Sequence, residues 1–358
     1  MRVPMVSILW VNYNSMENIR LVLESLQGIK DLDYPNYELI CVDNCSTDGS
    51  YQVIKEFLGK MRNAKLIRLE RNIGFTGGNN AAYRARSPES KYVVLLNNDA
   101  MPYPESLKKM VEVMESCSQL GGSQGIILDY RSGLIDTAGD YISELLSVHP
   151  LFSKKHYSIM KKPVYVTYAD GSYSIYRVNA IKKAVGHNDK LFDEYMFAYY
   201  DDSILGLKLW SSGYKVASYP FLAARHQRST SFKKVKQLQY YLNLRGRIVL
   251  NTISNSRYKN LVDFLFFRSV LLGIISHRNE RLQRMIIRAY IDGKKIGEMK
   301  KLNGEKINLY NAPIIKVNVP GSFLGIILPR RFINTLINEE LEKNWLASHR
   351  VKAVKALY

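Results

Sequence analysis

The chain has 358 residues, enough for one large α/β domain with an appendage or for two modest domains. Apolar residues make up 46% and charged residues 23%, which excludes wholesale disorder, and no uninterrupted apolar run reaches the ~18 residues of an ordinary membrane-spanning helix. The net charge of +19 is unevenly placed: residues 1–224 hold 25 Lys and Arg against 24 Asp and Glu, whereas residues 225–358 hold 26 against 8. A basic last third on a nearly neutral body implies an anionic partner, either nucleic acid or an anionic membrane face. The opening MRVPMVSILWV runs into a strand-like segment with no cleavable signal pattern, and Cys41, Cys45 and Cys117 cannot build a disulfide framework. A reducing, cytoplasmic setting is expected; zinc is not, because no further ligands cluster with Cys41 and Cys45.

In chain order, Val6–Val11 is a short apolar run, as expected of a strand buried on both faces of a parallel sheet. Asn12–Ser15 interrupts it, with Ser15 placed to cap a helix whose apolar positions are Ile19, Val22, Leu23, Leu26 and Ile29. Glu38–Val42 reads as a second strand, Asp43–Gly49 as a turn-rich loop, and Val53, Ile54, Phe57 and Leu58 as one face of a second helix. Lys65–Leu69 reads as a third strand that ends in a Gly- and Asn-rich loop, Arg71–Asn80. A short helix and a fourth strand, Tyr92–Leu96, lead to Asn97-Asn98-Asp99. This alternation predicts a doubly wound α/β sheet that binds ligands at the carboxyl edge of its strands.

Chemistry therefore belongs in the strand-end loops. Asp43 is placed to contact a nucleoside, and Asp99 to hold a divalent cation against a diphosphate. Strand-end Asp residues that merely cap the following turn or helix fit the same pattern. Gly74, Gly77 and Gly78 let backbone approach a ligand, but the loop is neither a dinucleotide fingerprint nor a phosphate loop with Gly-Lys-Ser/Thr.

Four stretches in register, Ser7–Asn14, Cys41–Ser50, Asn72–Asn80 and Leu95–Asp99, resemble the inverting glycosyltransferases of family 2, which have the GT-A fold. The likeness extends to about residue 230. It implies that Asn12, Asn14, Asp43, Asn72, Gly74, Asn79 and Asn97 bind a nucleotide sugar, with a UDP- or dTDP-linked donor. Asn97–Asp99 is similar to the family's DxD element with Asn in the first acidic position, so the resemblance makes Asp99 the carboxylate on Mg²⁺ or Mn²⁺. His226 is the second residue implied near that metal, and its neighbours Arg225 and Arg228 would complete a cationic cluster suited to diphosphate.

Asp170–Arg177 reads as a strand, with Gly171 and Ser172 at its start, followed by a short helix ending at Gly186; the resemblance implies that this strand lines the acceptor side. Leu191–Ile204 resembles the family's "FDE…F…ED" block. That likeness gives Asp202 the role of catalytic base, puts Asp201 where Glu is usual, and puts Ile204 where a further Asp is common. A carboxylate is the group needed to take a proton from an attacking hydroxyl. An acidic pair opening a helix near Ser203 also suits the helix dipole, and the two readings are compatible.

Residues 233–254 read as a helix packed back on the body, and Leu261–Ile275 as an apolar segment interrupted by Asp263 and Arg268, too short to span a membrane. Arg278, Arg281, Arg284 and Arg288 follow on one helical face. An apolar segment beside an arginine face suits an anionic bilayer surface; an ordinary appendage with a solvated arginine face is the alternative. Nucleic acid is disfavoured because the aromatics are not interleaved with the basic residues. The runs Phe323–Leu328 and Phe332–Leu341 carry no assignable role.

The expected protein is thus a GT-A type, mostly parallel α/β domain over residues 1–230 with a basic, mainly helical region over 231–358. The expected activity is metal-dependent, inverting transfer of a hexosyl or deoxyhexosyl group to a hydroxyl of a glycan or lipid-linked acceptor at the cytoplasmic face of the cell membrane. A polyprenyl-phosphate sugar synthase and a non-catalytic membrane-surface protein that keeps the fold are the alternatives.

Overall fold

The computed structural model describes residues 3–187, 189–227, 236–275 and 280–317. Its elements in order are β1 (Val6–Asn12), α1 (Ile19–Lys30), β2 (Tyr37–Asp43), α2 (Ser50–Leu58), β3 (Ala64–Arg68), α3 (Gly74–Arg84), β4 (Tyr92–Asn97), β5 (Ala100–Pro102) and α4 (Ser106–Ser116). There follow β6 (Leu120–Asp129), β7 (Ile135–Thr137), β8 (Asp140–Ile142), β9 (Val148–Pro150), β10 (Val164–Tyr165), β11 (Tyr173–Arg177), α5 (Val178–Val185), α6 (Asp201–Ser211) and β12 (Lys215–His226). Three long helices close the described chain: α7 (Lys236–Ile253), α8 (Lys259–Ile275) and α9 (Glu280–Leu302).

The main sheet runs β10-β12-β6-β11-β4-β1-β2-β3, with β5 beside β12 and β7 beside β6; β8 and β9 pair separately. β1 is parallel to β2 and β4, β2 to β3, and β6 to β12, whereas β11 runs antiparallel between β4 and β6. Strand alternation divides the core into two layers. Ile8, Trp10, Val94 and Leu96 face α1 and α4, while Leu9, Val93 and Leu95 face the layer that holds Tyr83, Ile181 and Leu205. Each such fully buried aliphatic side chain contributes roughly 1.5–3 kcal/mol. The expected doubly wound sheet is therefore present, with mixed strand direction where β11 is inserted.

Three local expectations differ. Ser15 does not cap α1: a single turn at Met16–Asn18 intervenes, and Ser15 Oγ instead donates to Asn12 Oδ1 at 2.5 Å. The glycine-rich stretch expected as a loop becomes helix from Gly74 onward. Its glycines serve close packing, since a Cβ at Gly77 would lie 2.7 Å from the Ile73 side chain and one at Gly78 2.8 Å from Val11. Ile204, where the family commonly has an acid, is buried among Ile142, Leu146, Tyr168, Met196, Val249 and Leu250.

The same apolar cluster carries α7 onto the body, as expected for a helix packed back. Gly293 and Gly297 let α9 lie against Ile248 and Thr252 of α7. Among the described residues no helix is long and apolar enough to cross a membrane. Arg228, Arg278 and the runs Phe323–Leu328 and Phe332–Leu341 lie outside the described residues.

Candidate active site

Parallel pairing brings Asn12 at the end of β1 opposite Asp43 at the end of β2, with Asn97 on β4 at the same edge. Asn12 Nδ2 donates to Asp43 Oδ1 at 3.0 Å and to Ser46 Oγ at 3.1 Å. Asp43 Oδ2 accepts the Ser46 N–H at 2.9 Å and lies 3.8 Å from Arg68 Nε. Asn12 and Asp43 are both fully buried, so their side chains tie the two loops together from within. Asn14, with φ of 43°, is exposed and accepts the Thr47 N–H at 2.8 Å. Asn44 extends this network: its Oδ1 accepts the Ile73 N–H at 2.9 Å and its Nδ2 donates to the Gly74 carbonyl at 3.0 Å.

Asn72 Oδ1 accepts the Gly74 N–H at 2.9 Å, and Asn79 Nδ2 donates to the Phe75 carbonyl one turn back in α3. Asn80, buried on the same helix, grips the Leu191–Glu194 block through its amide. Nothing near Asn80 in the sequence signals this role, because its partners lie more than a hundred residues downstream. Thr76 N–H donates to the Phe197 carbonyl at 3.1 Å, so α3 carries the whole segment leading to Asp201.

Asp99 occupies the turn between β4 and β5. His226, at the end of β12, pairs in register with Ala100 and places Nε2 3.2 Å from Asp99 Oδ1. Its Nδ1 lies 3.0 Å from Asp136 Oδ2, a carboxylate that nothing local in the sequence marked. Burial alone would lower the His226 pKa, but Asp99 and Asp136 on either side raise it to about 10. Of the expected arginine flank, Arg225 is turned to the other face by alternation along β12, where its Nε donates to Tyr103 Oη at 3.0 Å, and Arg228 lies outside the described residues. His226 thus sits between two carboxylates.

No preformed cluster of three or more His, Cys, Asp or Glu in metal-binding arrangement exists among the described residues. Once a cation displaces the proton on His226 Nε2, that nitrogen and the Asp99 carboxylate, buried side by side at a strand-end turn, make a donor pair that fits a divalent cation with further ligands from outside the chain.

The residues expected on the acceptor side form a second group joined to the first. Asn97 N–H donates to the Ser172 carbonyl at 3.0 Å, linking β4 to the turn before β11. In that turn Gly171 N–H donates to Asp202 Oδ2 at 3.3 Å, Ser172 N–H to Asp170 Oδ1 at 2.8 Å, and Asp170 N–H to Gln124 Oε1 at 2.6 Å. Asp201 and Asp202 open α6, as the helix-dipole reading expects, and Asp202 Oδ1 accepts the Ser203 N–H at 2.7 Å. Burial and then Asp170 raise Asp201 to about 7. Burial, followed by Asp201, Asp170 and Asp140, holds Asp202 well above the usual carboxylate range.

The backbone before these acids is unusual. Phe197, Tyr199 and Tyr200 have φ of 60°, 70° and 63°, a left-handed conformation that costs a non-glycine residue roughly 1–3 kcal/mol. Packing braces them: Arg245 of α7 donates to the Met196 carbonyl, Tyr200 Oη donates to the Leu146 carbonyl at 2.8 Å, and Gly246 admits the Tyr200 ring.

The sequence model described as Glycosyl transferase family 2 matches residues 7–183. The putative teichuronic acid biosynthesis glycosyltransferase TuaG of Bacillus subtilis is 28% identical over 117 residues, 32% of this chain and 44% of that relative. The chain therefore aligns with less than half of that relative's length. The crystal structure of S. aureus TarS 1-349 in complex with UDP-GlcNAc superposes with a TM-score of 0.51 at 18% identity, covering 84% of this chain and 92% of that one. The mannosyltransferase PcManGT from Pyrobaculum calidifontis, in complex with GDP-Man and Mn2+, gives 0.53 at 14% identity, covering 97% and 89%. The mixed, mostly parallel sheet with its flanking helices is the GT-A arrangement of these neighbours. Across residues 7–183 this chain belongs to glycosyl transferase family 2.

Proposed function

We propose that the protein transfers a sugar from a nucleoside-diphosphate sugar to a hydroxyl group of a glycan or lipid-linked acceptor, by one direct displacement that inverts the anomeric carbon. The observation that carries this reading is the single turn at 170–172, which bonds to β4 just before Asp99 and to Asp202 through Gly171. It couples a donor side to an acceptor side in one construction. The family match and the nucleotide-sugar complexes of TarS and PcManGT support the donor class.

Asp202 acts as the base. An acceptor hydroxyl gives up its proton as its oxygen attacks, and a carboxylate with raised proton affinity takes that proton more readily than an ordinary one. Gly171 N–H and Ser203 N–H hold the two Asp202 oxygens in place, and Asp201 and Asp170 supply the negative surroundings that raise its basicity. The loops tied by Asn12 and Asp43, with Asn14 at their surface, receive the nucleoside. Asn72, Gly74, Asn79 and Asn97 shape the remainder of the donor side. Asp99 and His226 would hold Mg²⁺ or Mn²⁺, which when bound supplies positive charge against the leaving diphosphate.

Thermal-shift titration with UDP-, dTDP- and GDP-linked sugars, each with Mn²⁺ or with chelator, tests the donor side, since a ligand of the native state raises its stability. One donor class is expected to stabilise the protein, more so with Mn²⁺, and Asp99→Asn is expected to remove the Mn²⁺ increment. Asp202→Asn is expected to keep the donor-induced shift and to lose roughly a hundredfold or more in nucleoside diphosphate release with water or added glycan as acceptor. Unchanged release by Asp202→Asn would refute the assigned base.

A further inference from the structure

We propose that the outer face of α8 and α9 docks on an anionic lipid surface. Phe264, Phe267 and Leu271 recur at intervals of three and four along α8 and are 45%, 51% and 57% exposed. They project from a mainly apolar helix, interrupted beyond its first turn by Asp263, Arg268 and Ser269, so this face is not the polar side of an ordinary amphipathic helix. α9 lies alongside, with Tyr290 in ring contact with Phe267 at 4.9 Å and Lys294 bonded to Asp263 at 2.7 Å. Next to that seam, Ile287 and Ile291 are exposed, and Arg284, Arg288 and Lys295 share their face of α9, with Arg281 beside it. Exposed aromatic and aliphatic side chains bordered by a row of cations match the two components of interfacial lipid binding, apolar insertion and attraction to anionic headgroups.

Charge selects the occupant. Among the described residues Arg284 and Arg288 pair with acids one turn away, the exposed Glu280 at 3.3 Å and the half-buried Asp292 at 3.6 Å, and the two arginines remain largely solvent-exposed, so these contacts are too weak to cancel the row. Residues 318–358 carry six Lys and Arg against three Asp and Glu, so they add no net negative charge to the chain. A second copy would bring the same basic face against itself. The face also belongs to the helical unit that braces the acceptor segment, through Arg245 on Met196 and Lys300 paired with Asp193. Docking would therefore hold the acceptor side at a fixed attitude to the lipid. This proposal stands apart from the transfer reaction and is tested without it.

The full chain is mixed with phosphatidylcholine vesicles, or with vesicles in which about one-third of the lipid is phosphatidylglycerol, and sedimented. Binding is expected only to the anionic vesicles and is expected to fall as salt rises. The combined variant Arg281→Gln, Arg284→Gln, Arg288→Gln is expected to bind about a hundredfold more weakly. The pair Phe264→Ser and Leu271→Ser, at exposed positions, is expected to lose about tenfold or more while keeping the wild-type unfolding midpoint. Equal binding to both vesicles, or undiminished binding by the arginine variant, would overturn the proposal. So would a dimer in light scattering that the Phe264→Ser, Leu271→Ser pair converts to monomer with vesicle binding unaltered.

Discussion

Asn80 grips Phe192 by both ends of its side-chain amide: Oδ1 accepts the Phe192 N–H at 2.9 Å, and Nδ2 donates to the Phe192 carbonyl at 2.8 Å. The same Oδ1 accepts the Leu191 N–H at 2.9 Å. One buried side chain on α3 thereby fixes the start of the segment that delivers Asp201 and Asp202 to α6. Asn80→Ala would strand three buried backbone groups at once. The expected cost is about 2–4 kcal/mol, seen as a lower urea midpoint at unchanged slope, with donor turnover falling alongside. A midpoint within experimental error of wild type would show that water or a rearranged backbone replaces the amide.

Asp201 gives stability a pH dependence of definite sign. Its pKa in the folded protein is raised to about 7, chiefly by burial, whereas an unfolded Asp titrates near 4. Between those values the native state holds a proton that the unfolded chain has released, so stability falls as pH rises from about 4 to about 7 and then levels off. Asp201→Asn removes that penalty. At pH 8 the variant is expected to be more stable than wild type by on the order of 2 kcal/mol, and at pH 4 nearly equal to it. Chemical denaturation of both proteins at the two pH values checks this; parallel behaviour would assign the raised pKa elsewhere in the acidic group.

Two glycines with similar backbone angles should respond very differently to the same substitution. Gly49 and Gly74 have φ of 91° and 79°, yet nothing lies within 4 Å of a Cβ built at Gly49, while one at Gly74 would run into the Phe197 carbonyl oxygen. Gly49→Ala is expected to cost about 1 kcal/mol, the conformational share alone. Gly74→Ala adds a backbone collision and is expected to cost about 2–4 kcal/mol. Equal losses would mean that the Phe197 segment yields easily.

What the sequence revealed, and what it hid, follows from the range of the interactions involved. The parallel strands were legible because runs such as Val6–Val11 are apolar on both faces, and so were the strand-end positions of Asp43 and Asp99 and the helix-start position of Asp202. The helix at Gly74 was not: glycine is a poor helix former, and the reason for Gly77 and Gly78 is tight contact with Ile73 and Val11, which local propensity does not register. Asp136 and Asn80 were hidden because their partners are 90 and 112 residues away. Arg225 was misplaced beside His226 on a simpler point, since neighbours along a strand face opposite ways.

The contact between Arg245 and Met196 has an architectural implication for cutting the protein. Residues 1–230 contain every acid named in the proposed reaction and would look, on paper, like a free-standing catalytic fragment. Such a fragment would lack the guanidinium and the glycine cleft that clamp the left-handed stretch from Phe197 to Tyr200. That stretch would be expected to relax toward ordinary backbone angles and to swing the start of α6 away from Gly171, leaving a folded sheet with a dispersed reaction centre.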